Sequence, residues 1–299
     1  LKIGHFFNNR KLLVLLYPSR LRILSLFLGR SCVCLGPDDT SLVLSALSLT
    51  DANIRLKYLR HIEKFISDTI ESLTPNTSSL FVGKYDVQSY KNRHPSHKAF
   101  FLPHPLFSCD LVDIDVLTAS IISNYHSTEH LNLLIFGTIT RNLHILDQIQ
   151  RLCSFIESKI LPHRNISFEI YGPANHWLSS YIHLYLPNAQ VNRHNKFHHF
   201  EEIIGPSSCM VSLAPYKYGT KTRVLSALSN AIPCLCPTEH IPSQFTSFHY
   251  LDKHAIDYHN DSLSFDCSSF LFSHTRLALA KQIRQQDYPQ QIAEIFKRL

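Results

Sequence analysis

The stretch Leu213-Ala214-Pro215-Tyr216-Lys217-Tyr218-Gly219-Thr220-Lys221-Thr222-Arg223-Val224-Leu225-Ser226-Ala227-Leu228-Ser229-Asn230-Ala231-Ile232-Pro233 decides the reading of the whole chain. An apolar, β-prone run ending at Pro215 is followed by a short loop around Gly219. A helical pattern then runs over 220–230, and the next apolar run opens at Ile232. Strand, loop, helix, strand is the parallel βα unit. The first turn of a helix presents unpaired N–H groups and a partial positive charge, which suits an anion. Lys221 and Arg223 fall at that end, where basic side chains oppose the helix dipole. Their placement makes sense if an anion such as a diphosphate sits between them. The bland alternative is an ordinary βα unit carrying two solvated cations.

The same alternation extends outward in both directions. Toward the N-terminus of this stretch, strands are expected over 131–137, 166–171, 189–193 and 209–214, with helices over 141–160, from about 175, and over 197–204. Beyond it come a strand over 232–236 and terminal helices over 275–285 and 289–299. In the first third, strands are expected over 11–17, 31–35, 80–82 and 99–102. A long helix over 52–73 carries Ile54, Leu56, Leu59, Ile62, Phe65, Ile66 and Ile70 at three- and four-residue steps, which predicts one buried face. Pro103-His104-Pro105 stiffens the chain, and the pattern from 106 to 130 is mixed. We therefore expect a domain over 1–105, a crossing over 106–130 and a second domain over 131–299. The fold class is α/β, with two Rossmann-like domains.

Composition sets limits. The chain has 299 residues, 44% of them hydrophobic and 17% charged, enough to bury two cores and incompatible with disorder throughout. A formal charge of +6 is too small to argue for nucleic acid. It fits phosphate-bearing ligands or contact with an anionic membrane surface. No apolar run reaches the roughly 18 residues of a spanning helix. The eight cysteines include two C-x-C pairs, Cys32/Cys34 and Cys234/Cys236, inside apolar runs. They read as buried thiols in strands, so a reducing, cytoplasmic setting is expected, with membrane association on the inner face. His194, His198, His199, Glu201 and Glu202 cluster in sequence without any zinc-ligand spacing, and we expect no metal.

The quoted stretch resembles the signature of glycosyltransferase family 4, a GT-B type: a strand ending in Pro, a Gly-containing loop, a basic helix start, then Val-Leu-Glu-Ala-Leu-Ala-x-Gly-x-Pro. The resemblance continues in Leu133-Leu134-Ile135-Phe136-Gly137 followed by Arg141-Asn142, and in Phe168-Glu169-Ile170-Tyr171-Gly172-Pro173. It is weaker in the first domain, at Asp38-Asp39-Thr40-Ser41-Leu42 and at Phe81 to Asp86, taken as a strand. It implies two Rossmann-like domains facing across a cleft. It also implies transfer of a sugar, with retention, from a nucleotide-diphosphate sugar to a glycan or lipid-linked acceptor, with no cofactor. The donor-binding set it implies is Gly137, Arg141, Gly172, Tyr218, Gly219, Thr220, Lys221, Arg223, Val224 and Ser226. No catalytic residue is assigned.

Three departures stand out. Ser226 occupies the place of the family's ribose-binding glutamate, and Ala231 that of a glycine. No first strand with a glycine-rich loop precedes Lys11, so the N-terminal domain is expected to be incomplete. These departures keep a second reading open, a non-catalytic or fragmentary GT-B-like protein that binds nucleotide or a partner enzyme.

Overall fold

The structure is a computed structural model. It describes residues 13–16, 22, 32–36, 39–50, 53–104, 106, 111–122, 130–137, 139–162, 164–172, 176–196, 199–205, 207–214, 221–242, 245, 248–260, 265–266, 270–271, 273–286 and 288–298. The chain forms two compact units. One comprises residues up to His104 together with Asp287–Leu299, and the other Pro105–Pro215 with Lys221–Gln286. The C-terminal segment and the 106–130 stretch thus group differently from the sequence-based division.

The first unit holds a parallel sheet of four strands in the order β1 (Leu13–Leu16), β2 (Cys32–Gly36), β3 (Thr77–Phe81), β4 (Ala99–Phe101). Helices α1 (Thr40–Thr50) and α2 (Ile54–Leu73) connect β2 to β3, and α3 (Lys84–Arg93) connects β3 to β4. Val33, Leu80 and Leu102 form one small core, and Phe81, Tyr90 and Ala99 another. The expected strand over Phe81 to Asp86 ends at Phe81. Gly83 caps a helix there, and a Cβ at Gly83 would overlap the Asp86 carboxylate. α2 starts where Asn53 accepts from the N–H groups of Arg55 and Leu56, an N-cap of the usual kind. Its predicted buried face does not exist: Ile54, Leu59, Ile62, Phe65 and Ile66 are exposed, and the buried α2 residues are Ser67 and Glu71.

The second unit is built on a six-stranded parallel sheet in the order β10-β9-β8-β5-β6-β7. The strands are β5 (His130–Phe136), β6 (Asn165–Tyr171), β7 (Gln190–His194), β8 (Ser208–Val211), β9 (Cys234–Leu235) and β10 (Ala255–Ile256). The helices are α4 (Ile114–Ile122), α5 (Leu143–Phe155, continued by a π-turn over Ile156–Ile160), α6 (His176–Tyr185), α7 (Thr222–Ser229), α8 (Leu251–His254) and α9 (Ser273–Arg284). A further helix, α10 (Tyr288–Arg298), belongs to the first unit, where Ile292 and Ile295 pack on the Val33/Leu80/Leu102 core.

Central strand β5 shows why this sheet carries helices on both faces. Successive residues of a strand point to opposite sides. Leu131, Leu133 and Ile135 join one core with Ile145, Ile149 and Leu152 of α5 and Leu178 and Ile182 of α6. Leu134 and Phe136 join another with Val224, Leu225 and Leu228 of α7 and Leu279 and Ile283 of α9. A strand buried on both faces reads as a continuous apolar run, as Leu133–Phe136 does. Trp177 is half-buried and packs on the first of these cores.

Two sequence expectations are corrected in this unit. The helix over 197–204 is, among the described residues, a single 3-10 turn at Phe200–Glu202, where the side chains of His199 and Glu202 cap each other's backbone. The crossing over 106–130 contains α4, whose Leu117 and Ile121 pack with Leu277 and Ala280 of α9. Cys34, Cys153, Cys209, Cys234 and Cys236 are free and buried. Burial pushes the Cys153 thiol up to about 12, and those of Cys234 and Cys236 up as well. No helix among the described residues is long and apolar enough to cross a membrane.

Candidate functional site

In parallel α/β sheets, ligands bind outside the carboxyl ends of the strands. In the second unit this edge collects Gly137 after β5, Gly172 after β6, Ser212 to Ala214 after β8 and the start of α7. Gly137 has φ +93 and Gly172 φ +135, a region that favours glycine. Their N–H groups close the sheet edge, Gly137 to the Tyr171 carbonyl at 2.9 Å and Gly172 to that of His194 at 3.1 Å. Gly137 does more than turn the chain. A Cβ there would overlap the Arg223 guanidinium, so the missing side chain leaves the space Arg223 fills.

Arg223 lies in the first turn of α7, and Lys221 is its N-cap, contributing no side-chain capping bond. Burial lowers the Arg223 pKa. A half-buried cation at the positive end of a helix is held against its own solvation and against the dipole, a cost that an anionic ligand offsets. Ser226 lies half-buried one turn further along α7. Val224 is fully buried in the core, and its N–H donates to the Lys221 carbonyl at 2.9 Å. It therefore serves packing and offers a ligand neither side chain nor N–H. Arg141 is exposed just before Asn142, whose side chain caps α5 through the Ile145 N–H. Tyr218, Gly219 and Thr220 lie outside the described residues.

α7 is fixed from its far end. Ala231 has φ +56, the left-handed residue that terminates a helix. Ile232 N–H donates to the Ala227 carbonyl at 2.9 Å and Ala231 N–H to that of Leu228 at 3.1 Å, the paired bonds of a Schellman motif. This is the position where the family pattern has glycine. Asn230 is fully buried. Its Oδ1 accepts from the Val112 N–H at 2.9 Å and from Arg284 at 3.0 Å, and its Nδ2 donates to the Ser226 carbonyl at 2.9 Å. Arg284 and Arg276 of α9 donate to the Ser229 and Ala231 carbonyls, each at 2.7 Å. Cations at a helix C-terminus complement its dipole.

Residues that sequence reasoning missed complete this edge. The Gln148 amide clasps the backbone of Ala214, its Oε1 accepting from the N–H at 3.1 Å and its Nε2 donating to the carbonyl at 3.2 Å, with His144 Nε2 2.8 Å away. This clasp fixes the chain where it leaves β8. Ser212 Oγ and His240 Nδ1 lie 3.0 Å apart, and Tyr258 donates to the Ser212 carbonyl at 3.0 Å. Burial drives the His240 pKa well below its ordinary value, and Lys221, His144 and His259 lower it further. Burial also lowers that of His144. His144 and His240, both pushed toward the neutral form, thus lie near enough to Lys221 to feel its charge. No short-range signal announces this grouping, because its members come from three separate segments.

On the neighbouring strands, His194 lies 2.7 Å from Glu169 and stacks on Tyr171 at 4.4 Å. Burial would raise the Glu169 pKa, but hydrogen bonds from His194, Asn192 and Ser167 overrule it and hold it low. His194 is thus engaged by a carboxylate, and His198 lies outside the described residues. Elsewhere, Asp68, Glu71 and His94 approach closely enough to hold a cation. Arg93 already neutralises that group, at 2.8 Å from Asp68 and 3.4 Å from Glu71.

No protein-family description matches this sequence, and neither does any curated protein sequence. Solved structures do match. WaaG, a glycosyltransferase involved in lipopolysaccharide biosynthesis, aligns over 98% of this chain and 79% of its own, with 13% identity and a TM-score of 0.58. TarM aligns over 98% of this chain and 56% of its own, with 9% identity and a TM-score of 0.57. Alr3699/HepE of Anabaena, solved with UDP and glucose, aligns over 97% and 78%, with 11% identity and a TM-score of 0.55. The fold is that of the GT-B glycosyltransferases. The chain spans about half of TarM and about four fifths of the other two.

Proposed function

We propose that this chain is a glycosyltransferase of the family 4 type. It would take a nucleotide-diphosphate sugar at the carboxyl edge of the second unit's sheet and pass the sugar, with retention, to a glycan or lipid-linked acceptor. The observation that carries the reading is the Arg223 guanidinium seated against Gly137 at the start of α7, next to Lys221 at its N-cap. Two cations at the positive end of a helix suit a diphosphate. Charge that develops on the departing diphosphate would be stabilised by groups already oriented, the largest catalytic contribution of sites of this kind. The fold shared with Alr3699/HepE, which was solved with UDP and glucose, supports the same ligand class. The buried free thiols of the second unit support a reducing, cytoplasmic setting.

Calorimetric titration with UDP-, GDP- and dTDP-glucose tests the reading. One of them should bind, and Arg223→Ala should weaken that binding roughly tenfold to a hundredfold, as expected for loss of a charge-assisted bond of about 1.5–3 kcal/mol. Unchanged affinity in a folded Arg223→Ala chain would remove the site from this edge. The second reading, a binding protein without turnover, is favoured by Ser226, which puts a hydroxyl where the family pattern has a carboxylate. Binding of a donor with no release of nucleotide diphosphate in the presence of acceptors would select it.

A further inference from the structure

The amino edge of the second unit's sheet, opposite the candidate donor edge, holds a groove of about 610 Å³, a size that suits a small ligand. Neighbouring strands β5, β6 and β7 open on His130, Asn165 and Gln190, and all three residues line it. One wall comes from the end of α5. There the helix widens into the π-turn, in which Ile156 and Ile160 are fully buried and Glu157 is exposed. The Leu161 N–H donates to the Ile156 carbonyl at 2.9 Å, and the Arg164 N–H to that of Ile160 at 3.0 Å. Glu157 and Leu161, the latter 41% exposed, both line the groove. Turns of this kind are rare in α-helices and gather at functional sites. The other wall is the turn after α6. The Ala189 N–H donates to the Leu186 carbonyl at 3.1 Å, and His183 Nε2 lies 3.1 Å from the Ala189 carbonyl. This turn brings Pro187 and Asn188 to the groove beside Tyr185, whose hydroxyl lies 3.2 Å from that of Tyr181. Both walls are thus set by bonds within the protein, which lowers the cost of ordering them around a ligand.

We propose that this groove binds a neutral stretch of glycan chain. Among the described residues that line it there is no lysine or arginine, and Glu157 is the one carboxylate. A phosphate or an acidic polymer would meet negative charge with no cation to offset it. The side chains of Asn165, Asn188 and Gln190 each carry a donor and an acceptor on one group, and Glu157 adds two acceptor oxygens. That set matches sugar hydroxyls, which donate and accept in turn. These four side chains make no hydrogen bond to the described residues, so a ligand takes them from water and not from the protein. Leu161, Pro187 and the Tyr185 ring supply apolar surface between the polar groups, on which the C–H face of a pyranose packs. The seven residues of β5, at about 3.3 Å each, put roughly 20 Å between the groove and the donor edge. The inference stands on this groove alone and does not rest on the proposed donor site.

The test titrates the 299-residue chain by calorimetry with three neutral hexasaccharides, maltohexaose, cellohexaose and laminarihexaose, and with the acidic hexamer of galacturonic acid. At least one neutral hexamer should bind, with a dissociation constant between about 10 μM and 1 mM, and the acidic one at least about tenfold more weakly. Glu157→Ala/Asn188→Ala should weaken the neutral hexamer about tenfold or more. Both side chains are exposed, so the circular dichroism of the variant should match that of the natural chain. Hydrogen exchange of the natural chain, saturated with the same hexamer, should slow over 157–165 and 185–190. The proposal is overturned if no neutral hexamer binds, or if the acidic hexamer binds as tightly. It is also overturned if the folded double variant binds unchanged or if exchange slows only elsewhere, since the sugar is then held at another place. Titration of the double variant with UDP-glucose reads the donor site separately and should match that of the natural chain.

Discussion

Ser226 carries the sharpest consequence for chemistry. A carboxylate at this place can accept from two ribose hydroxyls, whereas serine offers one short hydroxyl that reaches only through water. Ser226→Glu should therefore tighten the dissociation constant for a nucleotide-sugar roughly tenfold to a hundredfold by calorimetry. Unchanged or weaker binding would mean that Ser226 does not face the ribose. Another single residue controls stability. His254 is buried, 2.7 Å from the Phe270 carbonyl through Nδ1 and 2.7 Å from Thr275 Oγ1 through Nε2, and burial lowers its pKa to about 4. Because the folded value lies below the unfolded one of about 6.5, the unfolded chain binds the proton first. The stability His254 contributes is complete above about pH 6.5 and declines as pH falls toward 4, by up to about 3 kcal/mol. Urea unfolding at steps between pH 7 and pH 4 should show this slope, and it should be shallower in His254→Asn. The histidines around Lys221 illustrate what a sequence conceals. His144, His240 and His259 are unremarkable among 19 histidines, and only the chain's return along β8, β9 and β10 assembles them.

At the scale of elements, the start of α7 is the most legible part of the chain. A βα unit with basic residues at the helix start is written in consecutive residues, whereas the left-handed turn at Ala231, φ +56, is hidden by an alanine where the family pattern has glycine. What holds α7 in place is written elsewhere, in Asn230, Val112 and the arginines of α9. Asn230→Ala would leave the Val112 N–H and the Ser226 carbonyl without their side-chain partner and Arg284 without one acceptor. We expect a loss of about 2–4 kcal/mol in chemical denaturation, and a loss below about 1 kcal/mol would show that water replaces the side chain. α2 shows the opposite limit of sequence reading. Its three- and four-residue spacing correctly announces an amphipathic helix, but periodicity says only that a stripe exists. The side that faces the protein is the one where Asp68 and Glu71 of α2 pair with Arg93 of α3, a pairing across elements that has no periodic signature. In place of the helix expected over 197–204, Phe200, Ile203 and Ile204 anchor a 3-10 turn between β7 and β8 on the core of the second unit.

At the scale of the molecule, both units are parallel α/β layers, and the alternation of apolar runs with helical patterns was sufficient to place them in that class. The return of the last helix was less legible, since a terminal helix carries no mark of the core it joins. Ile292 and Ile295 of α10 pack on Val33, Leu80 and Leu102, so truncation after Gln286 should loosen the first unit and spare the second. Hydrogen exchange should then accelerate in β2, β3 and β4 while β5 and β6 stay protected. Uniform acceleration, or none, would contradict the placement of α10. The same arrangement dictates an order of events at the ribosome. The first unit is begun by residues that precede the second in the chain and completed by residues that follow it. At roughly 5–20 residues per second, its half-built core must wait through the synthesis of the entire second unit before α10 arrives to close it. Nascent chains stalled before Gln286 would thus present an open first unit to chaperones and proteases, however well the second has already folded.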